Sequence, residues 1–199
     1  MDTFWINNGI SSLAEDMNEN IWIGTGGLKN YYDGLLKYDG ENWTIFNSSP
    51  TGLPPIRFDE IIFDEQGIKW MAGFLGLDFS ESKLIKFDDT EWEVFDPPSH
   101  SLIYSLAIEN NNIFWLGTDN GLMRFNNSNW SVYDTKNSEI PSNQIISVLI
   151  ESEGTKWLGT DKGLVSLKDS QIKTPVKQRP KMVSEIELFP NPANDFITL

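Results

Sequence analysis

Apolar residues recur along this chain in short bursts separated by polar turns, and the bursts line up at long intervals. Trp22, Trp70, Trp115 and Trp157 are 48, 45 and 42 residues apart. Twelve residues before them stand Ile10, Phe58, Ile103 and Ile145, and nine before stand Leu13, Ile61, Leu106 and Val148. Six before stand four carboxylates, Asp16, Asp64, Glu109 and Glu151. The segment between is short and apolar on both alternating faces, which predicts a strand buried on both sides. An acidic or Gly turn such as Asp64-Glu65-Gln66-Gly67 then predicts a hairpin into the strand that carries the tryptophan.

The tryptophan strand ends in a repeated stretch, Trp157-Leu158-Gly159-Thr160-Asp161-Lys162-Gly163-Leu164, nearly identical at Trp115–Leu122. It opens again at Trp22-Ile23-Gly24-Thr25 and in degraded form at Trp70-Met71-Ala72-Gly73. A third strand follows (Leu35–Tyr38, Leu84–Phe87, Leu122–Phe125, Leu164–Leu167), then a polar turn and a fourth strand opening on Trp43, Trp92 or Trp130. Trp5 is the start of a further such strand, so the repeat absorbs all eight tryptophans. A unit of about 42 residues with four short antiparallel strands predicts an all-β chain, a β-propeller of about four four-stranded blades, either a ring at the lower end of the blade range or part of a larger one. The blades are expected near residues 8–46, 56–95, 101–133 and 143–172, the last with a weak final strand near Ile172. Residues 173–184, basic and Pro-containing, read as a linker, and 185–199 as a short hairpin-like tail that packs little against the blades.

Composition narrows the partners. With 15 basic and 29 acidic residues the formal net charge is −14. That disfavours nucleic acid and anionic membrane surfaces, which select basic patches. No cysteine is present, which removes disulfides and thiolate metal sites. No run is apolar and long enough to span a bilayer, and the opening Met1–Trp5 lacks the features of a signal peptide.

The run of Ile-x-x-Leu, an acidic residue, then Trp-Ile/Leu-Gly-Thr-x-x-Gly-Leu resembles the two-component regulator propeller repeat. It is best kept at Ile103–Phe125 and Ile145–Leu167, and weakest at Phe58–Phe87. That resemblance implies an extracytoplasmic module of the kind found in glycan-detecting receptors. The tail segment Leu188–Ile197, with Pro190, Asn191 and Pro192 at its centre, resembles the opening of the type A sorting domain of the type IX secretion system of Bacteroidetes. It implies export to the cell surface or medium by that machinery. The opening residues and the unfinished tail together suggest a piece of a longer secreted protein.

Candidate chemistry is sparse. With every tryptophan in register, packing between blades is expected rather than sugar stacking. The four carboxylates lack calcium-loop spacing and are expected to be solvated turn residues, with no metal and no cofactor. His100 is the only histidine, beside Pro97-Pro98 in a loop, and no nucleophile elbow or phosphate loop occurs. Two insertions, Gly26–Asp33 and Phe74–Ser82, lengthen the second-to-third-strand connection. They are expected to gather exposed aromatics, Tyr31, Tyr32, Phe74 and Phe79, on one face beside Arg57 and Tyr104, a set suited to a glycan or peptide ligand. The resulting expectation is a secreted or surface binding module that is not an enzyme. The alternatives are a propeller lyase or glycoside hydrolase with its site partly in missing blades, or a structural adhesin segment.

Overall fold

The computed structural model describes residues 9–26, 34–47, 56–75, 80–110, 113–126, 129–168 and 187–189. They form four four-stranded antiparallel sheets. Blade 1 comprises β1 (Ile10–Glu15), β2 (Ile21–Thr25), β3 (Gly34–Tyr38) and β4 (Trp43–Asn47). Blade 2 comprises β5 (Ile56–Phe63), β6 (Lys69–Leu75), β7 (Lys83–Phe87) and β8 (Trp92–Phe95). Blade 3 comprises β9 (Ile103–Asn110), β10 (Ile113–Thr118), β11 (Gly121–Asn126) and β12 (Asn129–Tyr133). Blade 4 comprises β13 (Ile145–Ile150), β14 (Lys156–Thr160), β15 (Gly163–Leu167) and β16 (Glu187–Phe189). Each sheet runs in sequence order, as the repeat predicts. The chain divides into two compact units, Met1–Ser101 and Leu102–Leu199, each carrying two blades.

In the first unit the core is Trp22 and Leu35 of blade 1 against Phe58, Ile61, Met71, Ile85 and Phe87 of blade 2. In the second, Trp115 and Leu122 of blade 3 meet Ile145, Val148, Leu158 and Val165 of blade 4. One blade therefore offers its tryptophan face and the next its first strand. Gly117 shows why the repeat needs glycine: a Cβ there would sit 2.7 Å from the carbonyl oxygen of Ile145 on the next blade. The threonine after it closes the turn, with the Thr118 hydroxyl donating to the Gly121 carbonyl (2.7 Å) and Thr160 to Gly163 (2.8 Å). In blade 1 the Thr25 hydroxyl does the same across the first insertion, donating to the Gly34 carbonyl and accepting from its amide, both at 2.9 Å. The fourth-strand tryptophans pack on the aromatic directly across the ladder, Trp92 stacked on Phe87 (4.0 Å) and Trp43 and Trp130 tilted against Tyr38 (4.7 Å) and Phe125 (4.6 Å). Such pairs add to sheet stability beyond simple burial.

Several expectations need correction. The four carboxylates are not merely solvated turn residues. Each accepts the indole N–H of its own blade's tryptophan: Asp16 from Trp22 (2.8 Å), Asp64 from Trp70 (3.1 Å), Glu109 from Trp115 (2.8 Å) and Glu151 from Trp157 (2.8 Å). A buried indole N–H left unpaired is costly, so the repeat supplies its acceptor at a fixed offset of six residues. The first strands are not buried on both sides everywhere; Leu13 and Leu149 are exposed. The expected fourth strand of blade 4 near Ile172 falls outside the described residues, and Glu187–Phe189 pairs with β15 instead, Leu164 opposite Phe189. At those three residues the tail is not separate from the blade, because an edge strand offers unpaired amides and carbonyls that an extended segment can satisfy.

Candidate functional site

All four first strands carry a bulge at the same repeat position, occupied by Ser11, Asp59, Tyr104 and Ile146. A bulge bends the strand and redirects side chains, and here it lies near the strand's start. In blade 2 it sets Asp59 so that its carboxylate takes the Arg57 Nε–H at 2.8 Å. The Arg57 guanidinium also lies over the Phe74 ring, 5.7 Å from its centre, while the side chain remains about half exposed. Gly26 leaves room for the arginine stem, since a Cβ there would meet Cγ at 2.4 Å. Burial raises the Asp59 carboxyl above its ordinary range, against the lowering effect of the Arg57 charge and hydrogen bond.

The same end of blade 2 carries a second charged group. Antiparallel register places the start of β7 beside the end of β6, with Lys83 opposite Gly73, and the end of β8 beside them. The Lys83 ammonium contacts Glu81 and lies 2.8 Å from Asp96. The other Glu81 oxygen is 2.5 Å from His100 Nδ1. The backbone fixes the histidine segment there, with the Ser82 amide donating to the Ser101 carbonyl at 2.8 Å and both serines buried. The imidazole is 85% exposed. The Lys83 hydrogen bond above all, then the charges of Lys83 and His100, holds the Glu81 carboxyl below its ordinary range. The pairs with Glu81 and Asp96 raise Lys83 despite its partial burial, which by itself would lower it. β5 and β7 are two strands apart, roughly 10 Å at the usual spacing, and the starts of both, carrying Arg57 and Lys83, lie at the same end of the sheet.

Of the residues expected to bind ligand, the structure brings Arg57 and Phe74 together. Phe74 is not an exposed loop residue: it continues β6, pairs with Arg57 and is 7% exposed. The insertion accordingly begins later than the motif suggested. Tyr104 lies at the bulge of β9 in the second unit and is exposed. Tyr31, Tyr32, Phe79, Pro190, Asn191 and Pro192 lie outside the described residues. His100 is on the surface as expected, but its pairing with Glu81, 19 positions earlier, had no sequence signal. Among the described residues no cluster of three or more His, Cys, Asp or Glu is placed to hold a metal, and no helix is long and apolar enough to cross a membrane.

Comparison with known proteins supports the fold. Residues 5–27 match the family model described as two component regulator propeller. No curated protein matches the chain. Among solved structures, the extracellular domain of a hybrid two-component system from B. thetaiotaomicron is 20% identical with a TM-score of 0.63, over 85% of this chain and 22% of that one. PorZ, a surface component of the type-IX secretion system of Porphyromonas gingivalis, is 16% identical with a TM-score of 0.61, over 84% of this chain and 27% of PorZ. Virginiamycin B lyase from Staphylococcus aureus is 13% identical with a TM-score of 0.65, over 94% of this chain and 57% of the lyase. The chain thus spans about a fifth of that extracellular domain and just over half of the lyase. The expectation of a module without enzymatic activity is overturned here, because nearly the whole described fold is one that carries lyase catalysis elsewhere.

Proposed function

We propose that this chain is part of an extracytoplasmic β-propeller enzyme of the lyase type, acting on a glycan or peptide ligand at the blade 2 end. The observation that carries this reading is the His100–Glu81 pair. A carboxylate that accepts the Nδ1–H fixes the imidazole tautomer and leaves Nε2 as the basic nitrogen, which suits a general base. In an elimination, His100 would take the proton beside a carbonyl, the C–H electron pair would form the new double bond, and the β-substituent would leave with its own bonding pair. Arg57, with its Nε held by Asp59 and its face on Phe74, would anchor a carboxylate of the same ligand. A catalytically inactive histidine variant of the S. aureus lyase has been crystallised with quinupristin, so a histidine is essential in one enzyme of this fold.

Export through the type IX machinery, with Pro190, Asn191 and Pro192 in the sorting signal, belongs to the same proposal. So does the division into blades over 1–172, a linker over 173–184 and the start of a sorting domain over 185–199. The similar extracellular domain and the surface component PorZ agree with a secreted or surface location. The test is to incubate the protein with quinupristin and with uronate-containing polysaccharides, following the ultraviolet absorbance of a new carbon–carbon double bond. Product from the native protein and none from His100→Gln at unchanged Tm is expected. No product from the native protein with either probe would sink the lyase reading.

A further inference from the structure

Blade 2 departs from its own repeat at one end of the sheet. In the other three blades a threonine ends the second strand and a glycine opens the third: Thr25 and Gly34, Thr118 and Gly121, Thr160 and Gly163. The threonine hydroxyl donates to the glycine carbonyl in each. In blade 2 the same two places hold Gly73 and Lys83, opposite one another in the ladder. The first change has a steric cause. A Cβ on Gly73 would lie 2.2 Å from the Arg57 carbonyl oxygen, so threonine does not fit. The second change needs no special backbone: Gly121 and Gly163 take φ 117° and 131°, whereas Lys83 stays out of the left-handed region. What the lysine adds is a charge that no other blade has at this place.

We infer that Lys83 is a positioning residue for the base: it holds Glu81 at one oxygen so that the other stays aimed at His100 Nδ1. That role exists only if His100 is the base proposed above. Lys83 acts through Glu81 and is not itself catalytic. Its ammonium contacts Glu81 Oε1, while Glu81 Oε2 is the oxygen that meets the imidazole. A carboxylate turns freely about its last bonds unless its neighbours lock it, and here both oxygens are engaged. Asp96, 2.8 Å from the ammonium, holds Lys83 from its other side. Charge-assisted hydrogen bonds of this kind are stronger than neutral ones, and the lysine is largely covered. The backbone bond from Ser82 to Ser101, and the 3.0 Å contact between the Ser99 and Ser101 hydroxyls, keep the two segments in step. The lost threonine closure is thus replaced by a charged clamp that ends on the histidine.

The experiment reads the His100 ring of the full chain by long-range nitrogen–proton NMR, with the imidazole neutral and no substrate present. The native chain should carry the proton on Nδ1, since a carboxylate there selects that tautomer. Lys83→Met keeps the stem and removes the charge. It should lose the Nδ1 preference as fully as Glu81→Gln does, at native circular dichroism. Lys83→Gly, the residue of the other three blades, should show the same loss and serves if the methionine disturbs folding. A proton that stays on Nδ1 in the folded lysine variants would overturn the positioning role and leave the base intact. A proton on Nε2 in the native chain would overturn both. Because the ring is read without substrate, the result does not depend on finding lyase product.

Discussion

The two blade pairs solve one packing problem with different side chains. In both, a buried lysine just before the second blade's tryptophan reaches back over the first blade's indole. Lys69 lies 4.6 Å from the Trp22 ring centre and Lys156 lies 5.2 Å from that of Trp115. They differ in the counter-charge. Glu109 is long enough to bridge, taking the Trp115 indole N–H on one oxygen and the Lys156 ammonium on the other. Asp16 is one methylene shorter and turns its second oxygen onto its own loop, accepting from the Asn18 and Asn20 amides at 2.9 and 3.0 Å. Lys69 therefore pairs with Asp89 on the rim, at 2.6 Å, and that carboxylate is 58% exposed. One methylene thus decides whether the clamp is a sealed ion pair or a solvent-linked one.

The largest effect should come from breaking the sealed pair. Lys156→Ala strands Glu109 beside the core and should cost about 3–5 kcal/mol in urea unfolding of the full chain. Lys69→Ala should cost less, about 1–2 kcal/mol, since Asp89 stays hydrated and the loss is mainly cation–π and stem packing. Equal losses at the two sites would erase the distinction. A smaller change in the opposite direction is expected at Glu19, which adopts φ 63° where the equivalent Gly67 and Gly154 have 78° and 84°. Glu19→Gly should raise stability by about 1 kcal/mol, because only glycine takes that conformation without steric cost; a fall would show that the side chain does something else.

Acid should separate the pairs more gently. Burial raises the Asp16 carboxyl, but hydrogen bonds from Trp22, Asn20 and Asn18 outweigh it and bring the pKa down to about 2 from 3.8. A depressed folded value means that its stabilisation is full above the unfolded value and is lost as pH falls through the folded one. Thermal melts between about pH 4 and about pH 2 should therefore lose less for Asp16→Asn than for the native chain. An identical acid slope in the variant would remove Asp16 from the account.

Much of this was legible in the sequence because the repeat fixes spacing, and spacing fixes which side chains meet. The anchor tryptophans, the Gly-Thr turn and the fourth-strand tryptophans all occupy the places their register predicts. The carboxylates were visible but misassigned, since an acidic turn residue gives no sign that an indole six positions on will bend back to it. Phe74 was misplaced because Ala72-Gly73 breaks the motif that marks the end of the second strand, and the ladder continues through it. The His100–Glu81 contact was illegible, as it joins two loops that only the ladder of β6, β7 and β8 brings together. Surface chemistry at loop ends has no period, so pattern reading passes over it.

The lyase reading needs Glu81 to set up His100 as a base, and because His100 is the sole histidine its ring can be observed without overlap. Long-range nitrogen–proton NMR of the full chain with its imidazole neutral reports which ring nitrogen carries the proton. The Glu81 contact should hold the proton on Nδ1 in the native chain, with Glu81→Gln releasing that preference. A proton on Nε2 in the native chain, unaffected by Glu81→Gln, would contradict it.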